Sequence, residues 1–206
     1  MNTTDMFESG TVFLIDDDPS VRDSLSLLLS LKGVRTQLFA NAESFIEAFG
    51  PDWGGCVLTD LRMPGMNGLE LQSALRARHI ELPVVVLTAH GDVATARAAL
   101  KNGAFDFLEK PIDDVLLLEV LGNALRADHE RRAAATTRAS VNARLERLTG
   151  REREILALIT AGHQNREVAA QLGISPRTVE VHKARIMEKL ECHSLAELIR
   201  TNIAAG

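Results

Sequence analysis

The strongest constraint on the fold is an alternation between Thr11 and Leu125, where short β-branched apolar runs are separated by longer stretches of helical periodicity. This pattern is typical of βαβ units, which wind a parallel sheet. Because such connections are short and right-handed, we expect a doubly wound α/β domain whose ligands bind outside the carboxyl ends of the strands. The predicted strands are Thr11–Ile15, Arg35–Phe39, Cys56–Thr59, Val84–Thr88 and Asp106–Leu108.

The remainder of the chain divides into a linker and an all-α domain. Residues 126–147 are rich in Ala and Arg and contain Thr136-Thr137 and Ser140, so they predict an interdomain linker, part of which could be helical. Thr149 and Glu152 form a capping-box pattern that starts the second domain, residues 148–206. Its predicted helices are Gly150–Ala161, Arg166–Leu172, Pro176–Leu190 and Leu195–Ala204.

Composition excludes several classes of protein. With 46% hydrophobic and 25% charged residues, the chain is neither a collagen nor a low-complexity sequence. Cys56 and Cys192 lie far apart and lack disulfide or zinc spacing, so a reducing cytoplasm is expected. The longest apolar runs, such as Val84–Leu87, are too short for a bilayer, and the N-terminus has no export pattern. We therefore expect a cytoplasmic protein without a membrane partner.

Charge is distributed unevenly. Residues 1–125 hold 18 acidic against nine basic residues, whereas residues 126–206 hold ten against 14. A basic second part is compatible with a polyanionic partner, although a solvated surface explains such a bias equally well.

Acidic residues end two of the predicted strands. Asp16, Asp17 and Asp18 follow the first strand and Asp60 follows the third, so their side chains should meet at one sheet edge. Clustered carboxylates repel one another unless a cation neutralises them, and all-oxygen ligation fits Mg²⁺. Asp18 has a structural alternative, because it precedes Pro19 and is suited to cap the next helix.

Two further strand ends supply a hydroxyl and an ammonium group. Thr88 ends the fourth strand and Lys110 follows the fifth, so both should face the carboxylates. This set suits phosphoryl transfer, with Asp60 as the nucleophile that forms an acyl phosphate and Lys110 offsetting the charge. Singly, each residue has an ordinary structural explanation, but four strand ends together favour a site.

The segments LIDDDPSVR, TDLRMPGMNG, VVLTAHGD and DFLEKP resemble, in this order, the receiver domain of two-component response regulators over about residues 10–125. The resemblance, strongest to the FixJ group, implies a five-stranded parallel sheet of flavodoxin-like order 2-1-3-4-5. Met63-Pro64-Gly65 and Gly68 predict a tight loop with glycines at positive φ.

The same resemblance implies a set of residue roles. A sensor histidine kinase would phosphorylate Asp60, and Mg²⁺ would be held by Asp17, Asp60 and the backbone carbonyl of Arg62, with Asp16 assisting through water. Thr88 and Lys110 would contact the phosphoryl group, Phe107 would be the aromatic switch residue, and a homodimer would form through Ala89–Gly103 and the last strand.

The second domain contains the helix-ending and helix-starting residues that are typical of a helix-turn-helix. Gly173 ends one predicted helix, and Ser175-Pro176 begins the next. A helical wheel places Val179, His182, Ile186 and Leu190 on one face. The opposite face carries Val181 and Ala184 among charged residues, and insertion into a DNA major groove would explain these exposed apolar side chains. An ordinary amphipathic helix is the alternative.

Residues 148–204 resemble the LuxR/NarL-type four-helix DNA-binding domain. The resemblance implies that base edges or their approach are faced by Arg177, Glu180, Val181 and Ala184, and that phosphates are contacted by Lys183, Arg185 and Lys189. Thr178 is a further predicted DNA-binding residue. It also implies a dimerisation role for the last helix, whereas closing the small core is the simpler role.

Taken together, the sequence predicts a response regulator rather than an enzyme. Phosphorylation of Asp60 would promote dimerisation, binding to inverted-repeat sites in double-stranded DNA and, with RNA polymerase, activation of transcription. One alternative is a constitutive DNA-binding regulator whose receiver is only a dimerisation scaffold. Another is a phosphotransfer enzyme, which would need an acid/base group where Arg62 stands and a substrate-enclosing cap.

Overall fold

In the computed structural model, the residues described are 10–89, 100, 101 and 103–205, with side chains up to residue 201. The chain divides into two compact units between Arg132 and Ala133. The first unit therefore extends past the boundary predicted at residue 125. None of the helices in these ranges combines the length and the apolarity that a bilayer crossing needs.

The first unit contains a five-stranded parallel sheet. Its strands are β1 (Thr11–Ile15), β2 (Arg35–Phe39), β3 (Gly55–Asp60), β4 (Val84–Thr88) and β5 (Asp106–Glu109). The order β2-β1-β3-β4-β5 confirms the predicted topology. Because β3 runs on to Asp60, this residue stands at the carboxyl end of a completely buried strand.

Helices cover both faces of the sheet. Among the residues described, these helices are α1 (Pro19–Leu31), α2 (Ala42–Ala48), α3 (Gly68–Ala77) and α4 (Asp114–Glu146), which begins in this unit. One apolar cluster contains Leu29 of α1 and Leu121 of α4, and the other contains Phe45 of α2 and Leu71 of α3. Two apolar layers therefore hold the sheet between them, as a doubly wound fold requires.

Helix α4 includes most of the predicted linker, residues 126–147, for which a partly helical conformation was left open. The residues from 126 to Glu146 are helical, so Thr136-Thr137 do not interrupt the helix. Asp128 is buried in the first unit, where its carboxylate accepts a hydrogen bond from the backbone N–H of Gly55 at 2.8 Å. Residues 133–140 are exposed, and Val141 is buried again. Helix propensity of Ala and Arg has prevailed over the β-branched pair.

The second unit contains four further helices: α5 (Gly150–Thr160), α6 (Asn165–Leu172), α7 (Pro176–Leu190) and α8 (Leu195–Ala205). Thr149 and Glu152 form the predicted capping box, and Gly173 ends α6 at φ 65°. Ser175 caps α7, with Pro176 in its first turn. The predicted helix end and helix start of the helix-turn-helix are thus confirmed.

Two glycines permit close packing near the sheet. The backbone of Gly55 has φ 144°, and a Cβ atom there would collide with the carbonyl oxygen of Thr11. At Gly68 a Cβ atom would lie 2.7 Å from the carbonyl oxygen of Asp60. Gly65 has the predicted positive φ, at 76°, but Gly68 does not. The prediction of a positive φ at Gly68 was therefore wrong. Glycine is required there because the backbone of Asp60 approaches closely.

Candidate functional site

Three side chains from separate strand ends meet at the edge of the first unit. The Nζ of Lys110 lies 2.6 Å from Oδ1 of Asp60 and 2.9 Å from Oδ2 of Asp16. Asp16 follows β1, Asp60 ends β3 and Lys110 follows β5, so the sheet order brings them together. Asp16 is 2% and Asp60 8% exposed. The predicted convergence of these residues is therefore present.

The electrostatics of this cluster favour a charged lysine. Burial lowers the pKa of Lys110, but hydrogen bonds to Asp60 and Asp16 outweigh burial, so the pKa of its ammonium group is raised. One ammonium group balances only one of the two carboxylates it contacts. The residual negative charge gives the cluster an electrostatic attraction for a further cation.

Asp60 is oriented by its own loop. Its Oδ2 accepts a hydrogen bond of 2.7 Å from the backbone N–H of Arg62, while its Oδ1 faces Lys110. The loop is held from outside by Glu43 on α2, whose carboxylate accepts from the backbone N–H of Met66 at 2.9 Å. Because both oxygens of Asp60 have donors, its carboxylate has one defined orientation at the strand end.

Thr88 and Phe107 lie on the neighbouring strands. Thr88 ends β4 and is 8% exposed, and its carbonyl oxygen accepts from the backbone N–H of Lys110 at 2.7 Å. The Phe107 ring on β5 is half-buried and packs against the apolar cluster that contains Phe45. Both residues have the positions that their predicted roles require, and the roles themselves remain predictions.

Asp17 and Asp18 have separate positions. Asp18 caps α1 by accepting from the backbone N–H of Ser20 at 2.8 Å, which confirms its structural role. Asp17 is exposed, next to Asp16 in sequence. Among the residues described, no three acidic, histidine or cysteine side chains are grouped as a metal site. The structure thus brings Asp16 and Asp60 together through Lys110 without making Asp17 part of a three-carboxylate group.

The donor chemistry nevertheless suits a hard cation. Carboxylates from two strand ends lie beside one ammonium group, and Mg²⁺ prefers oxygen ligands with few carboxylates and several waters. Asp16 is held on its other side, where Oδ1 accepts from the backbone N–H of Asp18 at 2.9 Å. The residues present therefore fit a magnesium ion in chemical type.

Arg22 makes a contact that the sequence motifs did not predict. Its Nη1 donates to the carbonyl oxygen of Asp16 at 2.6 Å, across the first turn of α1. This hydrogen bond holds the end of β1 against α1. The residue ends the LIDDDPSVR segment, but nothing in its spacing distinguishes a guanidinium that binds backbone from a surface charge.

In the second unit, α7 separates an apolar and an exposed face. Val179, Ile186 and Leu190 are fully buried, and His182 is half-buried on the same side. The opposite face exposes Val181 (46%) and the side chains of Arg177, Glu180, Ala184 and Arg185, whereas Thr178 and Lys183 are half-buried at its edges. The wheel prediction of faces is confirmed, while DNA contact by each residue stays a prediction.

Lys189 has an internal partner instead of a free position. Its Nζ lies 2.7 Å from Oε2 of Glu152 and 3.3 Å from the carbonyl oxygen of Arg147. Lys189 therefore already has a carboxylate partner, and its predicted phosphate contact stays a prediction. Hydrogen bonds from Lys189 and Thr149 outweigh burial and lower the pKa of Glu152 to about 2.

The predicted dimerisation surface is mostly outside the residues described. Positions 90–99 and 102, within the predicted Ala89–Gly103, lie outside those ranges.

Comparison with known proteins identifies both units. Models of the response regulator receiver domain and of bacterial regulatory proteins of the luxR family match residues 12–122 and 146–202. The chain is 43% identical over 201 residues to the transcriptional regulatory protein FixJ of Azorhizobium caulinodans, covering 98% of this chain and 95% of that protein. This chain belongs to the FixJ-like response regulators.

Further similar proteins extend the comparison. The C4-dicarboxylate transport transcriptional regulatory protein DctR of Rhodobacter capsulatus is 41% identical, over 93% of this chain and 98% of its own. The solved structure of the response regulator StyR has a TM-score of 0.86 at 41% identity, covering 95% of this chain and 98% of StyR. This FixJ-like response regulator thus combines a receiver domain with a LuxR-type DNA-binding domain and regulates transcription.

Proposed function

We propose that phosphorylation of Asp60 by a sensor histidine kinase controls DNA binding by the second domain. The observation that carries this proposal is the contact of one ammonium group, on Lys110, with the carboxylates of both Asp60 and Asp16. Such an arrangement places a nucleophilic carboxylate at a strand end beside a cation that can neutralise a transferred phosphoryl group.

The transfer step involves one bond broken and one bond formed. An oxygen of Asp60 attacks the phosphorus of a phosphohistidine, the P–N bond breaks, and the imidazole nitrogen leaves with the electron pair and takes up a proton. The product is an acyl phosphate on Asp60. Lys110 neutralises charge on the phosphoryl oxygens, and the Thr88 hydroxyl at the next strand end donates a hydrogen bond to them.

Mg²⁺ is the cofactor that fits this donor set. It would be held by Asp17, Asp60 and the backbone carbonyl of Arg62, with Asp16 assisting through water. When bound, it supplies positive charge for the phosphoryl oxygens.

The new charge then changes a surface. A phosphoryl group adds about −1.5 to −2 charge and three acceptor oxygens, which draws Thr88 toward Asp60 and leaves space that the Phe107 ring fills. The resulting change over β5 and the neighbouring segment promotes a homodimer. Paired copies of α7 then bind an inverted repeat in duplex DNA and recruit RNA polymerase, which activates transcription.

The protein acts in this scheme as a stoichiometric switch in the cytoplasm, not as an enzyme with a substrate pocket. A small phosphate donor tests the acceptor directly. Acetyl phosphate with Mg²⁺ should add one phosphoryl mass to the full-length protein, and D60N should take up none. D52N, which alters an exposed aspartate of the receiver, is the matched control and should be labelled like the wild type. Equal labelling of D60N and wild type would refute the assignment of Asp60.

A further inference from the structure

The last turns of α4 are part of the DNA-binding domain. Val141 is 5% exposed, Leu145 packs against the apolar cluster of the second unit, and Leu148 belongs to that cluster. Leu145 and Leu148 share this cluster with Ile186 and Leu190 of α7, the helix whose exposed face is predicted to contact DNA. The end of α4 therefore packs together with the helix that presents the DNA-binding face.

Arg144, between these apolar residues, holds the C-terminal end of α7. Its Nη1 donates to the carbonyl oxygen of Leu190 at 3.1 Å and lies 3.4 Å from Oε2 of Glu191. Its Nη2 is 3.4 Å from Oγ of Ser140, one turn earlier on α4. The last carbonyls of a helix have no partner within the helix and carry partial negative charge, so a guanidinium group is well suited to bind them.

The backbone at this helix end needs support. Glu191 ends α7 in the left-handed region, at φ 57°, where a residue other than glycine is disfavoured. Its backbone N–H donates to Glu188, and that of Cys192 donates to Met187 at 2.9 Å. The Arg144 guanidinium contacts both the carbonyl before this turn and the side chain within it, and so stabilises the unusual conformation.

A second contact joins the same two segments. The ammonium group of Lys189, in the last turn of α7, donates to the carbonyl oxygen of Arg147, directly after α4. Each segment therefore contributes one cation to a backbone carbonyl of the other. This reciprocal pair determines where α7 ends relative to the last turn of α4.

We propose that Arg144 is a positioning residue for DNA recognition, which acts by fixing the C-terminal end of α7 on the last turn of α4. A helix of 15 residues is about 22 Å long, so a small tilt at its end displaces the side chains near its start. Arg177 and Val181 lie toward that start, on the exposed face. The inference rests on DNA binding by the LuxR-type domain and does not depend on phosphorylation of Asp60.

Hydrogen exchange on the full-length protein tests the contact itself. R144M removes the donors of Arg144 and keeps an apolar stem, while R138M removes the same charge from an exposed position on the same helix. We expect R144M to speed amide exchange at least fivefold in a peptide covering residues 187–193, with no change over residues 155–159. R138M should match the wild type in both peptides. Unchanged exchange at 187–193, or equal acceleration in both peptides, would overturn the proposal.

DNA binding tests the positioning role. Binding is measured for full-length proteins on a duplex selected from a random pool with the wild type, over a series of salt concentrations. R144M should weaken binding five- to tenfold without changing the salt slope, because Arg144 acts through α7, whereas R185M should reduce the slope by about one. An unchanged affinity for R144M, or a slope reduced as in R185M, would contradict a positioning role.

A conservative variant separates positioning from folding. R144K replaces the guanidinium group with one ammonium group that can reach the carbonyl of Leu190. This variant should therefore recover at least half of the affinity that R144M loses. If R144M and R144K both fail to fold, Arg144 is a structural residue of the domain and the proposal is wrong.

Discussion

Lys110 and Asp60 form the shortest contact between charged side chains at the receiver site, 2.6 Å from Nζ to Oδ1, and the same ammonium group reaches Asp16 at 2.9 Å. Two largely buried carboxylates thus share one ammonium group as their ion-pair partner. This arrangement links the chemistry of the site to the stability of the domain that carries it.

Removing the cation should destabilise the receiver. K110M leaves Asp16 and Asp60 facing each other, so we expect its free energy of unfolding at neutral pH to fall by about 1–3 kcal/mol. Urea unfolding followed by fluorescence of Trp53, the single tryptophan, measures this loss. K101M, altered at an exposed lysine, should behave as the wild type. A K110M variant as stable as the wild type would contradict this account.

Glu152 should contribute to stability in a defined pH range. Its pKa is lowered to about 2, so its contribution is fully present above the unfolded-state value near 4.5 and is lost as the pH falls toward 2. E152Q should lower the free energy of unfolding of the second domain by about 2 kcal/mol at pH 7, and by less at pH 3. Circular dichroism follows the helices of this domain. E154Q, which removes an exposed carboxylate paired with Arg151, should cost less than about 0.5 kcal/mol. Similar losses in the two variants would rule out a special role for Glu152.

His79 follows α3 in a conformation that favours glycine. Its φ is 56°, and the residue is exposed, so contacts of the side chain offset little of the strain in the backbone. H79G should raise the stability of the receiver by about 0.5–1 kcal/mol, and H79A, which keeps the Cβ atom, should not. Urea unfolding of both variants gives the comparison. A destabilised H79G would mean that the imidazole makes a contact worth more than the strain.

The exposed face of α7 should separate sequence preference from general affinity. E180A should change which base is preferred at one position of each half-site, because a carboxylate can accept a hydrogen bond from cytosine. K183M should weaken binding evenly across sequences and flatten its salt dependence. Selection from a random duplex pool and salt titration give the two readouts. If both variants behave alike, the division of this face into base and phosphate contacts is incorrect.

Much of the architecture could be predicted because local patterns agree with the fold. The apolar runs locate the strands to within one residue, and Thr149 with Glu152 locates the start of α5. The convergence of Asp16, Asp60 and Lys110 follows from topology, since each stands at the carboxyl end of a parallel strand.

Other features depend on contacts between residues that are distant in sequence. Arg144 and Leu190 are 46 positions apart, and a surface arginine in an Ala- and Arg-rich stretch has no local mark that distinguishes it from Arg138. The prediction that Lys189 contacts phosphates came from the family resemblance, and nothing near it in the sequence indicates its ion pair with the buried carboxylate of Glu152 on α5. Residues 126–147 were predicted as a linker that could be partly helical because they contain few large apolar residues, and an apolar face is the usual evidence for a packed helix.

The most direct test of the central claim is the DNA affinity of one full-length preparation before and after phosphorylation with acetyl phosphate and Mg²⁺, measured on the selected duplex with D60N alongside. We predict that phosphorylation tightens binding at least tenfold, about 1.4 kcal/mol, and that D60N stays at the unphosphorylated level throughout. Equal affinity before and after complete phosphorylation would contradict the account and would identify a constitutive DNA-binding regulator whose receiver serves only as a scaffold.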